Sequence, residues 1–188
     1  MNIERKRWMG GCMAQYVYFL RGINVNGITI KMEALKKAFL DMGFHEVSTV
    51  LATGNVVVSA EAVHDQVEKT LSETFGYDAY VVLKTATSVK AILEESKLNR
   101  VPEGYHHYVI LMKAEGLAHQ MKALFDGCQK APDEQLIIGS ECVYWIVPKG
   151  DTLNSEFGKI CLGKKAYKDK LTSRNINTIE KIVKLLRA

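Results

Sequence analysis

Along the first half of the chain the apolar positions alternate between strand-like runs and helical stripes. Tyr16–Arg21 is a compact aromatic and β-branched run closed by Gly22, which reads as a strand. Met32, Leu35, Phe39 and Met42 then recur at helical spacing until Gly43 supplies a stop. Glu46–Leu51 and Val56–Ser59 are strand-like runs joined by Ala52-Thr53-Gly54-Asn55, the composition of a hairpin connection. Val63, Val67, Leu71 and Phe75 stripe a second helix, and Tyr80–Leu83 closes the unit as a fourth strand. The predicted order is βαββαβ.

The pattern restarts after a linking helix marked by Val89, Ile92 and Leu93. Tyr108–Met112 reads as a strand, Leu117, Met121, Leu124 and Phe125 as a helix, and Leu136–Ile138 with Val143–Val147 as a hairpin around Gly139-Ser140-Glu141. A short helix around Glu156–Leu162, a lysine-rich stretch and a terminal helix with Ile176, Ile179, Ile182, Val183 and Leu186 follow. The spacing therefore predicts an α+β chain of two tandem ferredoxin-like halves. The second half lacks an apolar run for its last strand and ends in a C-terminal helix. The expected divisions are 1–12 as a flexible N-terminal extension or a product of start-site choice, 13–86 as the first half, 87–104 as linking helix and loop, and 105–188 as the second half. With three prolines and no low-complexity linker, the halves are expected to share an interface.

A chain of 188 residues with 47% hydrophobic and 24% charged residues can build a core without a metal or disulfide. Cys12, Cys128, Cys142 and Cys161 form no CxxC pair, so they read as free thiols in a reducing compartment. No segment approaches the roughly 18 apolar residues of a membrane span, and the first residues lack an apolar signal core. A cytoplasmic location away from membranes is expected. The formal net charge of +4 is uneven: residues 149–188 carry ten Lys/Arg against four Asp/Glu, leaving the remainder at −2. Such a segment attracts acidic partners, or is simply a solvated lysine-rich face.

Candidate chemistry concentrates at Leu20–Thr29 (LRGINVNGIT). Its glycines, Gly22 and Gly27, match the frame of a phosphate loop, but Ile28 stands where the lysine belongs, which excludes nucleoside-triphosphate hydrolysis of that type. In a βαββαβ unit the end of the first strand and the hairpin between strands two and three lie on one sheet edge, so Arg21, Asn24 and Asn55 are expected to be neighbours, and Lys31 opens the helix leaving that edge. These donors suit a phosphate or carboxylate. The alternative is that Arg21 forms a structural ion pair, the asparagines satisfy turns and Lys31 is solvated. In Thr172–Thr178 (TSRNINT), Asn177 and Glu180 have capping-box spacing, whereas Arg174 has no local duty and could join the edge if the last helix folds back.

No metal or cofactor site is expected. His106 and His107 are adjacent and would face opposite sides of a strand, and His45, His64 and His119 have no ligand at metal spacing. No GxSxG, HExxH or Rossmann motif is present, and Gly54–Ser59 lacks the stacking aromatics of an RNA-recognition sheet. Three functions stay open: a binding protein for a small anionic ligand, a nucleic-acid-associated module using Lys159–Lys170 with Tyr167, and an interaction scaffold without ligand.

Several separated segments carry a resemblance to a known family: Leu20–Val25 (LRGINV), Met32–Leu35 (MEAL), Met42–Phe44 (MGF), Gly54–Val57 (GNVV), Val143–Trp145 (VYW) and Thr172–Thr178. From Gln15 to Ala188 the chain resembles the bacterial family known as domain of unknown function 1697. The resemblance implies a duplicated ferredoxin-like architecture and no established activity. Asn26 in place of a second glycine, Ala52-Thr53 in place of Gln-Ser and Ile176 in place of tryptophan depart from the family pattern.

Overall fold

The computed structural model describes residues 13–23, 29–61, 65–114 and 116–187. Expectations for Asn24, for Val63 and for the 1–12 extension with Cys12 fall outside them.

Two four-stranded antiparallel sheets form the frame. The first is built from β1 (Ala14–Arg21), β2 (His45–Val50), β3 (Asn55–Ala60) and β4 (Tyr80–Thr85), in the order β2-β3-β1-β4. The second is built from β5 (Tyr105–Met112), β6 (Gln135–Ile138), β7 (Val143–Pro148) and β8 (Leu171–Asn175), in the equivalent order β6-β7-β5-β8. Helices α1 (Met32–Asp41) and α2 (Val67–Phe75) connect strands in the first half, α3 (Ala86–Ser96) joins the halves, and α4 (Leu117–Asp126) serves the second. A short turn α5 (Glu156–Gly158) runs into a π-helical turn over Lys159–Gly163 and a 3₁₀ turn over Lys165–Tyr167, and α6 (Ile176–Val183) follows β8. The chain is thus an α+β fold in two ferredoxin-like halves. The last strand of the second half, for which the sequence offers no apolar run, is the polar run Leu171–Asn175.

Strand alternation assigns the residues to three cores. In β1, Tyr18 and Leu20 face α1 and α2, where they pack with Leu35, Phe39 and Leu71. In β5, Ile110 and Met112 face α4, where they pack with Met121, Phe125 and Trp145. The opposite faces, Val17 and Phe19 of β1 and Val109 and Leu111 of β5, meet in a central core filled by α3 and α6 through Val89, Ile92, Ile179 and Ile182. Ile92, Ile179 and Ile182 are fully buried, so truncating any one to alanine is expected to cost about 2–5 kcal/mol. This shared layer makes the halves one packed body. It covers one face of the first sheet while α1 and α2 cover the other, and every residue of β3 is buried. A nucleic acid therefore finds no open sheet face there on which to stack.

The cap of α6 differs from the capping-box expectation. Asn175, not Asn177, is the N-cap, and its side chain accepts from the Asn177 backbone N–H at 3.0 Å.

Candidate functional site

The site lies where the end of β1, the β2–β3 hairpin and the C-terminal segment of the second half converge. Leu20 N–H donates to Gly54 O at 2.7 Å, and Phe19 pairs with Asn55, so the topology sets Arg21 beside the hairpin. Gly54 has φ +75°, and a Cβ there would lie 2.7 Å from Ile23 Cδ1 and 2.8 Å from Leu20 Cβ. Only glycine permits both the turn and this close approach. Asn55 is fully buried; its Nδ2 donates to Val50 O (2.8 Å) and Thr53 Oγ1 (2.9 Å), and its Oδ1 accepts from Arg174 Nε.

Two arginines clasp the halves reciprocally. Arg21, from the first half, donates through Nη1 to Tyr167 O (2.9 Å) and Leu171 O (2.7 Å) and through Nη2 to Leu162 O (2.7 Å), all in the second half. Arg174, from the second half, donates through Nη2 to Leu20 O (2.6 Å), Thr53 O (2.9 Å) and Gly54 O (3.4 Å) in the first. Its Nη1 serves Thr172 Oγ1 (2.8 Å) and Ser173 O (2.7 Å) in its own strand. Burial pulls both guanidinium pKa values down, Arg174 to about 10, with repulsion from Arg21 adding to the effect. For Arg21, Cys161 and Asp169 oppose the drop. Among the described residues neither arginine forms the ion pair considered for Arg21; neutral oxygens accept from both.

A cavity of about 560 Å³ opens beside this clasp. Arg21 and Arg174 line it with Lys164, Lys165 and Lys168, and hydroxyls come from Thr53, Tyr108, Thr172, Ser173 and Thr178. Among the described residues the lining contains no carboxylate, and no ion pair involves these five cations. Lys31 is the exposed N-cap of α1 and is not part of the lining. Of the residues expected at the edge, Arg21, Asn55 and Arg174 are together, Lys31 stands apart and Asn24 is not described. The three lysines were read from sequence only as part of a basic stretch. Tyr167, considered with Lys159–Lys170 for a nucleic-acid-associated module, is buried.

The second half repeats the edge with different chemistry. Lys84 immediately precedes Thr85, the N-cap of α3, as Arg174 immediately precedes Asn175, the N-cap of α6. Lys84 pairs with Val17 of β1, as Arg174 pairs with Val109 of β5. It too reaches across to the other half's hairpin, meeting Glu141 at 2.9 Å. Lys113, just beyond β5, occupies the position of Arg21 at the end of β1 and reaches Glu68 on α2. Lys84, Lys113 and Glu141 border a cavity of about 540 Å³, and each of these lysines pairs with a carboxylate. Lys84 holds the Glu141 carboxyl below its ordinary pKa.

Fold and edge together define a class: duplicated ferredoxin-like α+β proteins joined by a central two-helix layer. Within it, the chain belongs to the DUF1697 family, described as protein of unknown function, whose model matches residues 13–144. Its fold is similar to that of the conserved bacterial protein SP0830 from Streptococcus pneumoniae, with a TM-score of 0.69 at 19% identity, covering 93% of this chain and 99% of that one. No curated protein matches the sequence. No helix among the described residues is long and apolar enough to cross a membrane.

Proposed function

We propose that this protein binds a small phosphate- or carboxylate-bearing anion in the cavity between its halves, and that it works in the cytoplasm. The observation that carries the reading is the charge of the lining: Arg21, Lys164, Lys165, Lys168 and Arg174 converge with no carboxylate among the described residues. The equivalent lysines at the second-half edge, Lys113 and Lys84, have Glu68 and Glu141 as partners, so the fold itself does not demand an uncompensated edge. An anion would supply the missing countercharge, while hydroxyls of Thr172, Ser173 and Thr178 would orient it. For the cytoplasmic assignment, the support is that the described cysteines, Cys128, Cys142 and Cys161, are free and buried.

A thermal-shift screen at constant ionic strength tests the binding reading with phosphate, pyrophosphate, citrate and nucleotides. A ligand at about one hundred times its Kd adds about 2.7 kcal/mol of stability, a readable rise in midpoint. The rise should vanish in a Lys164→Gln, Lys165→Gln, Lys168→Gln variant. If no anion raises the wild-type midpoint at millimolar concentration, the proposal fails.

A further inference from the structure

Resting on the anion-binding reading, we infer that the ligand is a multiply charged phosphate compound, a diphosphate or larger, and that Lys165 and Lys168 are its direct contacts. The donors of Arg174 are directed at protein acceptors, and Arg21 holds three backbone carbonyls. Both therefore act on a ligand through their field. Hydrogen bonds to an incoming anion fall to the lysines of the cavity wall.

Their arrangement sets the class. Lys165 opens the 3₁₀ turn and Lys168 caps it. In a 3₁₀ turn residues three apart eclipse one another, with a rise of about 2.0 Å per residue, so the two lysines leave the same side of the turn about 6 Å apart along its axis. Two linked phosphate groups span such a pair of ammonium groups; a single carboxylate engages one. Lys168 is anchored from below, its Nζ lying 5.2 Å over the Tyr80 ring. The charge balance agrees. A monocarboxylate would offset one of five cations, whereas a single phosphate monoester group carries about −1.5 to −2, so a compound with two linked phosphate groups offsets more of the wall's charge. In the second cavity Glu68 and Glu141 already hold the lysines, so binding is expected at one site per chain.

Isothermal titration calorimetry with inorganic pyrophosphate, inorganic phosphate and acetate, at matched ionic strength, tests the inference on the full chain. Pyrophosphate should bind one equivalent, at least about tenfold tighter than phosphate or acetate, a difference of about 1.4 kcal/mol. A Lys165→Gln, Lys168→Gln variant should lose at least that tenfold while keeping its thermal midpoint, because both side chains are on exposed residues. Phosphate or acetate binding as tightly as pyrophosphate would overturn the ligand class and leave the anion site standing. Undiminished pyrophosphate affinity in the double variant would overturn the assignment of contacts. Absence of binding by all three anions would overturn the class and the site together.

Discussion

Replacing Arg174 by methionine keeps most of the side-chain volume and removes the guanidinium that fastens β8 to the first half. Leu20 O, Thr53 O and Asn55 Oδ1 would each lose a charged donor, and Thr172 Oγ1 its partner within the strand. A hydrogen bond to a charged group contributes about 1.5–3 kcal/mol, and an orphaned buried acceptor costs about 1–3 kcal/mol. Against this, the variant no longer buries a cation that has no carboxylate partner among the described residues, a relief of several kcal/mol. The balance is a net loss of about 3 kcal/mol, at the lower end of what breaking a buried charged contact costs. At about 2–4 °C per kcal/mol for a chain of this size, the thermal midpoint should fall by about 6–12 °C. Calorimetry and urea unfolding would both read the change, and Arg174→Lys should fall between the two, because an ammonium cannot serve carbonyls spread around a planar fork. A methionine variant within about 2 °C of wild type would refute the clasp as a source of stability.

Two further outcomes follow from the same geometry. Gly54→Ala should lose at least about 2 kcal/mol in urea unfolding, because a left-handed backbone angle and contacts of 2.7 and 2.8 Å with Ile23 and Leu20 oppose any Cβ. His107 is buried, which pushes its pKa below the ordinary 6.5, so just below that pH the unfolded chain binds more protons than the folded one. Stability should therefore decline as pH falls from 6.5 toward the folded value, by at most about 1.4 kcal/mol per pH unit, and His107→Gln should flatten that part of the profile. The acid loss below 4.5 tied to Glu141, whose carboxyl Lys84 holds down, should persist in the variant.

Most strands and helices were legible because their burial follows the period of the apolar residues. Val17 and Phe19 on one face of β1 and Tyr18 and Leu20 on the other make a run that only a strand covered on both sides explains. The strand Leu171–Asn175 escaped because, Leu171 apart, its buried positions are polar: Thr172 accepts from Arg174, and Arg174 donates to backbone and side-chain oxygens. The same polarity drew the cap to Asn177, two residues late, since the helix begins directly where the strand ends. At the site, the nearness of Arg21 and Asn55 follows from βαββαβ topology alone. The arrival of Arg174 depends on how the halves dock, which a local pattern does not encode. Lys164, Lys165 and Lys168 left a trace only in the charge imbalance of residues 149–188, because a lysine on a solvated helix and one on a cavity wall look alike in sequence.

The two edges of the molecule amount to an internal comparison. Both halves share strand order, both place a cation one residue before the N-cap of a central helix, and both send it across to the opposite hairpin. At the second-half edge the lysine meets a carboxylate, the economical arrangement for a partly buried charge. At the first-half edge two guanidiniums lie close enough to repel, their hydrogen bonds among the described residues go to neutral groups, and three more lysines stand on the same wall. A fold that can neutralise this edge in one copy has no structural need to leave it charged in the other. Local departures from such economy gather where a protein meets its ligand, and here the departure is confined to one of two equivalent positions. The asymmetry between the copies, more than any motif, is what singles out the cavity beside Arg21 and Arg174.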